Sequence, residues 1–355
     1  MPDRTESPAS PGLMARLAAG PVLCAEGYLF ELERRGYLQA GAFVPEVVLE
    51  HPEVVSALHR EFVHAGSDVV VAFTYYAHRE KLRLIGREGD LEPMNRGGLR
   101  LARAVARETG TLFAADICNT NIFDPADPQS AREARAMFDE QVAWAADEGA
   151  DYVIAETFSW RAEAALALAA AQAAGLPVVV TFAIHGEGRT RDGFAPADAC
   201  RALADAGADV VGLNCIRGPA TMQPYLAAVV DAVACPVAAL PVAYRTDHAH
   251  ATFESLSDGL VAAADLPAGR SFPTALDPCT ATRYEMAAFA RDALAAGVRY
   301  IGGCCGTGPH HIRAMAEAIG RRPAASRYSA DMSKHYALGN ARGLRRSNQD
   351  YADRL

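Results

Sequence analysis

Positive charge is in short supply. The 355-residue chain sets 34 Lys and Arg against 43 Asp and Glu, a formal net charge of -9. That balance leaves no basic footprint for nucleic acid or an anionic membrane surface. Long apolar runs are missing too. The best candidate, Ala164 to Ile184, is interrupted by Gln172, Gly175 and Pro177, and reads as a helix followed by a strand rather than a membrane span. Residues 1–20 have no sustained apolar stretch; they do not read as a signal peptide and are expected to form a loose leader. No GxGxxG follows the first strand-like run, which weakens an open dinucleotide-binding sheet. The eight cysteines are irregularly spaced along a long chain, unlike a disulfide framework. A reducing, cytoplasmic setting is expected, with most thiols buried or metal-bound.

What the chain does have is a repeating pattern. Eight short runs rich in Val, Ile and Ala fall at residues 21–27, 68–76, 112–117, 151–158, 177–184, 210–215, 235–244 and up to Cys304-Cys305. Helical stretches separate them, often stopped by Ala-Gly pairs such as Ala65-Gly66, Ala174-Gly175, Ala206-Gly207 and Ala296-Gly297. Continuously apolar strands alternating with helices mean a parallel sheet covered on both faces. Eight such units fit a single α/β fold, a (β/α)8 TIM-type barrel over residues 21–320, with an open doubly wound sheet as competitor. Residues 321–355 are polar and rich in Arg, Ser and Asn, and are expected as a C-terminal tail or oligomerisation arm.

In such a barrel, reactive groups gather at the C-terminal ends of the strands. Those positions hold Glu26, Tyr75, Tyr76, Asp116, Cys118, Glu156, Asn214, Cys215, Tyr244, Cys304 and Cys305. Strands six and eight of a closed barrel lie close together, so Cys215 can meet the Cys304-Cys305 pair. Adjacent side chains on a regular strand point to opposite faces. Both cysteines can face one ion only if the strand breaks, which Gly302, Gly303 and Gly306 permit. Three thiolates suit zinc and leave its fourth position open, the catalytic pattern. A substrate thiol in that position stays deprotonated and nucleophilic, which points to alkyl transfer; bound water there would instead give a hydrolase or lyase. Glu156 sits in an apolar strand, where an unpaired carboxylate is costly, so it is expected to bind ligand. Cys24, Cys118, Cys200, Cys235 and Cys279 are read as packing residues. His310 and His311 are expected to cap a helix or lie on the surface; His185, His248 and His250 are assigned no role.

With these residues in hand, the chain resembles the zinc-dependent homocysteine S-methyltransferase family, and within it the betaine–homocysteine enzymes. The shared features are Gly302-Gly303-Cys304-Cys305-Gly306, the Gly-Leu-Asn-Cys that ends at Cys215, Ile154-Ala155-Glu156 and Val298-Arg299-Tyr300-Ile301. Further matches are Leu32-Glu33-Arg34-Arg35-Gly36-Tyr37, Glu50-His51-Pro52-Glu53, Leu58-His59-Arg60-Glu61-Phe62 and Phe73-Thr74-Tyr75-Tyr76-Ala77. The resemblance implies Zn2+ on Cys215, Cys304 and Cys305, with Glu156 holding the amino group of homocysteine. It also implies that the backbone of Gly27 lies near the substrate, and that Tyr76 and Phe43 lie near a methylammonium, betaine-like donor attracted to ring faces. Glu26, Thr157 and Asn214 complete the expected substrate-binding set. The implied reaction gives methionine; a methylsulfonium donor or another thiol is the alternative. The implied partners are the two small molecules and further copies of the chain in a dimer or tetramer, with no nucleic acid and no membrane. Four positions depart from the family pattern. Ala25-Glu26-Gly27 replaces Asp-Gly-Gly, Phe43 replaces a tryptophan and Thr157 replaces a tyrosine. Either Glu26 supplies the strand-one carboxylate from the next position, or acceptor recognition has changed.

Overall fold

The computed structural model describes residues 11–257 and 269–334, together with 350, 351 and 354. Eight strands run through it: β1 Val22–Ala25, β2 Val69–Val71, β3 Leu112–Cys118, β4 Tyr152–Phe158, β5 Val178–Phe182, β6 Val210–Asn214, β7 Val237–Leu240 and β8 Tyr300–Gly303. All are buried along their length, as Val/Ile/Ala runs must be when helices cover one face and a core fills the other. Every ladder is parallel, in the order β1-β8-β7-β6-β5-β4-β3-β2. Between β1 and β2 the sheet is joined through Asp68. Its carboxylate accepts from the Leu23 N–H at 2.7 Å, and its own N–H donates to the Leu23 carbonyl at 2.7 Å. The same device recurs at Asp151 with Phe113 and at Asp209 with Val178. The result is a nearly closed (β/α)8 barrel.

The helices α1 Leu13–Ala19, α2 Tyr28–Arg34, α3 Val47–Glu50, α4 Pro52–Ala65, α5 Arg79–Leu84 and α6 Leu91–Thr109 belong to the first half of the chain. The remainder are α7 Pro128–Asp147, α8 Arg161–Ala173, α9 Pro196–Asp205, α10 Pro219–Ala232, α11 Arg283–Ala295 and α12 Pro309–Ala318. Five of them, α4, α7, α9, α10 and α12, open with proline in the first turn, where its missing N–H is harmless. Among the described residues no helix is long and apolar enough to cross a membrane.

Several expected boundaries move. Part of the expected leader is helix α1, which buries Leu13 and Leu17 in the core; residues 1–10 lie outside the described set. β2 is only three residues, because the chain turns at 74–77 and Tyr76 takes a left-handed φ of 58°. β7 stops at Leu240, since Pro241 has no N–H to continue the ladder. Tyr244, expected in that strand, instead bridges Thr280. The start of the expected tail is fastened to the barrel floor. Arg321 pairs with Asp68 and bonds the Pro21 carbonyl, and Ala325 is buried. Most of the tail beyond residue 334 lies outside the described residues.

Candidate active site

The barrel's C-terminal mouth is built where three strands end in irregular backbone. β6 ends at Asn214, and Cys215 follows with a φ of 52°. β8 ends at Gly303, so both Cys304 and Cys305 lie beyond the pleat, and Gly306 turns the chain away at a φ of 78°. Gly302 has no alternative residue: a Cβ there would lie 2.0 Å from the Cys24 carbonyl oxygen. Backbone bonds tie the ends together. The Cys215 N–H donates to the Leu240 carbonyl at 2.9 Å, the Cys304 N–H to the Pro241 carbonyl at 2.9 Å, and the Ala243 N–H to the Cys305 carbonyl at 2.9 Å.

The three sulfurs converge as expected. Cys215 Sγ lies 3.6 Å from Cys305 Sγ, and Cys304 Sγ lies 3.9 Å from Cys305 Sγ. All three are within 4.8 Å of one another. A tetrahedral ion with sulfurs at about 2.3 Å separates them by about 3.8 Å, so the 3.6 and 3.9 Å separations suit such an ion. Protons are shared unevenly across it. Hydrogen bonds from Cys304 and Cys305 hold the Cys215 thiol well below its ordinary range, while those two are pushed up.

Beside the sulfurs lies a carboxyl cluster. Glu156 and Thr157 close β4, and Asn214 reaches them from β6. The Asn214 amide donates to Glu156 Oε2 and, at 3.0 Å, to Thr157 Oγ1; it accepts from the Thr157 N–H at 3.0 Å. Thr157 Oγ1 also donates to Glu156 Oε2 at 2.9 Å. Glu26 follows β1 and is buried, and its ligand oxygen, that of Glu156 and Cys304 Sγ lie within 4.8 Å of each other. Burial, then the negative Cys215, raises Glu156 to about 7. Burial, then Glu156 and Asp116, raises Glu26. Burial and Glu156 raise Asp116.

Above this floor is a cavity of about 290 Å³ whose wall includes Phe30, Phe43, Tyr76, Thr157, Cys215 and Cys305. Its walls are aromatic. Phe43 packs against Phe30 and Phe272 at 6.2 and 6.0 Å between ring centroids, and Phe253 meets Phe272 at 5.0 Å. Tyr75 and Tyr76 lie 4.3 Å apart, and Lys81 Nζ covers a face of Tyr76 at 4.1 Å. Among the described residues, the non-glycine positions with positive φ are Phe43, Tyr76, Asn121, Thr157, Cys215 and Ile216, and all six line this cavity. Such conformations are costly for bulky side chains and concentrate at functional sites.

Of the expected residues, Cys215, Cys304, Cys305, Glu26, Glu156, Thr157 and Asn214 form one connected floor, while Phe43 and Tyr76 line the wall. Gly27 follows Glu26 of that floor and has a packing reason of its own to be glycine. A Cβ there would lie 1.9 Å from the Thr307 carbonyl oxygen, so its missing side chain admits the loop after β8. Part of the wall carries no signal in the sequence. His185 lines the cavity and bonds Ser159 Oγ at 2.8 Å, with Glu254 3.6 Å from its other nitrogen. Phe253 and Phe272 arrive from the irregular segment after β7, where no periodicity marks them. His311 caps α12 as expected: its Nδ1 accepts from the Gly308 N–H at 3.0 Å.

Fold and site together define a (β/α)8 barrel protein with a cysteine cluster of metal-holding geometry at its mouth. The chain belongs to the homocysteine S-methyltransferase family, whose model matches residues 27–319. It is 39% identical over 312 residues to betaine–homocysteine S-methyltransferase 1 of Danio rerio, covering 87% of this chain and 75% of the relative. It is 36% identical over 314 residues to the S-methylmethionine–homocysteine S-methyltransferase of Mus musculus, covering 88% and 82%. Among solved structures, the metallated homocysteine methyltransferase MmuM of Escherichia coli shares the fold, with a TM-score of 0.66 at 21% identity over 86% of this chain and 99% of that one.

Proposed function

We propose that the protein is a zinc-dependent S-methyltransferase that moves a methyl group from a betaine-like methylammonium donor to the thiol of homocysteine, giving methionine. The supporting observation is one continuous site: three sulfurs within 4.8 Å of one another, a buried carboxyl floor beside them and an aromatic cavity above. Zinc on Cys215, Cys304 and Cys305 would supply a charge that keeps an acceptor thiol ionised near neutral pH. Glu156, held by Asn214 and Thr157, receives the acceptor's ammonium, and Glu26 faces it from β1. The rings of Phe43 and Tyr76 attract the donor's cation and, with Phe253 and Phe272, exclude water. A sulfur lone pair forms the new S–CH3 bond as the N–CH3 bond breaks, and that electron pair leaves on the amine nitrogen.

The rings suit a methylsulfonium cation equally well, and relatives named for both kinds of donor match at similar identity. A panel of methylammonium and methylsulfonium compounds with homocysteine, read by mass spectrometry of the thioether, tests the reading. Methionine from a methylammonium donor supports it. Methionine from sulfonium donors alone reassigns the donor, and no methionine from any donor overturns it.

In the same reading, residues 21–320 are the homocysteine-binding barrel with α1 of the expected leader packed on it, and the tail of 321–355, past its anchored start, is an arm for another copy in a homo-oligomer. Three reduced thiols suit a cytoplasmic setting. Light scattering on the full chain and on a chain ending at residue 334 checks the arm: the same number of subunits in both would refute it.

A further inference from the structure

We infer that Asp116 is a third carboxylate of the acceptor's ammonium subsite, set beneath Glu26 and Glu156, and that it makes the site selective for thiols carrying a nearby amine. The inference rests on reading the floor as the acceptor site. Asp116 lies in β3, in register with Ile154, while Cys118 two residues on is in register with Glu156. Side chains two apart on a strand share a face, so Asp116 enters the barrel one layer below Glu156. In the layer beneath, the Tyr152 and Tyr300 hydroxyls meet across the interior at 2.9 Å and close off the floor. Asp116 is 4% exposed and Glu26 9%, and among the described residues Asp116 Oδ1 and Glu26 Oε2 are buried without a hydrogen-bond partner.

Three carboxyl groups at the centre of a barrel are costly, and apolar residues there would give a more stable core. A cation that docks among them offsets the cost. An ammonium presents three N–H donors. Glu156 commits Oε2 to Asn214 and Thr157, and its side chain also hydrogen-bonds that of Asp116, a contact between two acids that an arriving ammonium would replace. With the ammonium in place of that contact, Glu156, Glu26 Oε2 and Asp116 Oδ1 offer one oxygen from each of three acids, one for each donor. The subsite also lies at the right depth. The amino nitrogen of homocysteine is four bonds from its sulfur, and Glu26 and Glu156 offer oxygens within 4.8 Å of Cys304 Sγ.

The test uses the zinc-loaded full chain and two thiols: L-homocysteine and 4-sulfanylbutanoate, which lacks the amine. Calorimetric titration measures binding to the wild type, Asp116→Asn and Asp116→Ala, with zinc content confirming that each variant keeps its site. Losing one charge-assisted hydrogen bond weakens homocysteine by at least about tenfold, and the desamino thiol should stay within about twofold. With a working donor, KM for homocysteine rises in parallel while kcat stays within about threefold. Equal weakening of both thiols, no change in either, or loss of zinc from both variants would overturn the assignment. If the wild type binds homocysteine in this pattern but methylates nothing, the proposed reaction fails and the subsite stands. If both variants methylate homocysteine with unchanged KM, the subsite fails and the reaction stands.

Discussion

Asn214→Ala is the sharpest perturbation of the floor. The Asn214 side chain takes part in three hydrogen bonds: to Glu156 Oε2, to Thr157 Oγ1 at 3.0 Å, and from the Thr157 N–H at 3.0 Å. All three residues are buried. A neutral bond in such a place contributes about 1 kcal/mol and one to a charged group about 1.5–3, so the substitution should cost about 4 kcal/mol. Thr157→Val keeps the branched shape and removes only the hydroxyl that bonds Glu156 and accepts from Asn214; about 2 kcal/mol is expected. Because the two side chains bond each other, the double variant should fall short of the sum by about 1 kcal/mol or more. Equilibrium urea unfolding followed by fluorescence measures all three, and Trp160 on the cavity wall supplies a local signal. An Asn214→Ala cost below about 0.5 kcal/mol, a value typical of surface substitutions, would refute the network. Strict additivity with Thr157→Val would do the same.

Cys215→Ala removes one of three sulfurs and should abolish both zinc content and methyl transfer; full activity without metal, by elemental analysis and turnover, contradicts the site. Phe43→Ala removes one of the two rings that attract the donor's cation. It should raise KM for the donor at least about fivefold, in line with a cation–π contact near 1 kcal/mol, and leave the acceptor's KM unchanged. His59 is fully buried beside Tyr28, and burial lowers its pKa to about 3. An unfolded histidine takes up a proton below pH ~6.5. The folded protein therefore loses stability at this site as pH falls from about 6.5 towards 3. The stability of His59→Phe relative to wild type should improve by about 1.4 kcal/mol between pH 7.5 and 5.5, and parallel pH–stability curves would rule this out.

The barrel was legible because its strands are apolar on both faces and its helices stop at glycine. The overshoots at β2 and β7 have local causes, a turn at 74–77 and a proline at 241, which apolar content alone does not register. The sulfur cluster was legible because two adjacent cysteines between glycines have no packing motive. The cavity wall was not. Glycine advertises a left-handed conformation in sequence, but here Phe43, Thr157 and Ile216 adopt it, residues that ordinarily avoid it. Phe253 and Phe272 come from a segment with no period. Asp116 was visible as a polar residue at a strand end, but its placement beneath Glu156 follows only from the β3–β4 register.

The central claim is that Cys215, Cys304 and Cys305 hold zinc with one position open to the acceptor's sulfur. X-ray absorption at the zinc edge, before and after adding homocysteine, measures this directly. Expected is three sulfurs at about 2.3 Å plus one lighter atom in the free protein, changing to four sulfurs with homocysteine bound. A zinc ion that keeps the same sulfur count when homocysteine saturates the protein would contradict it.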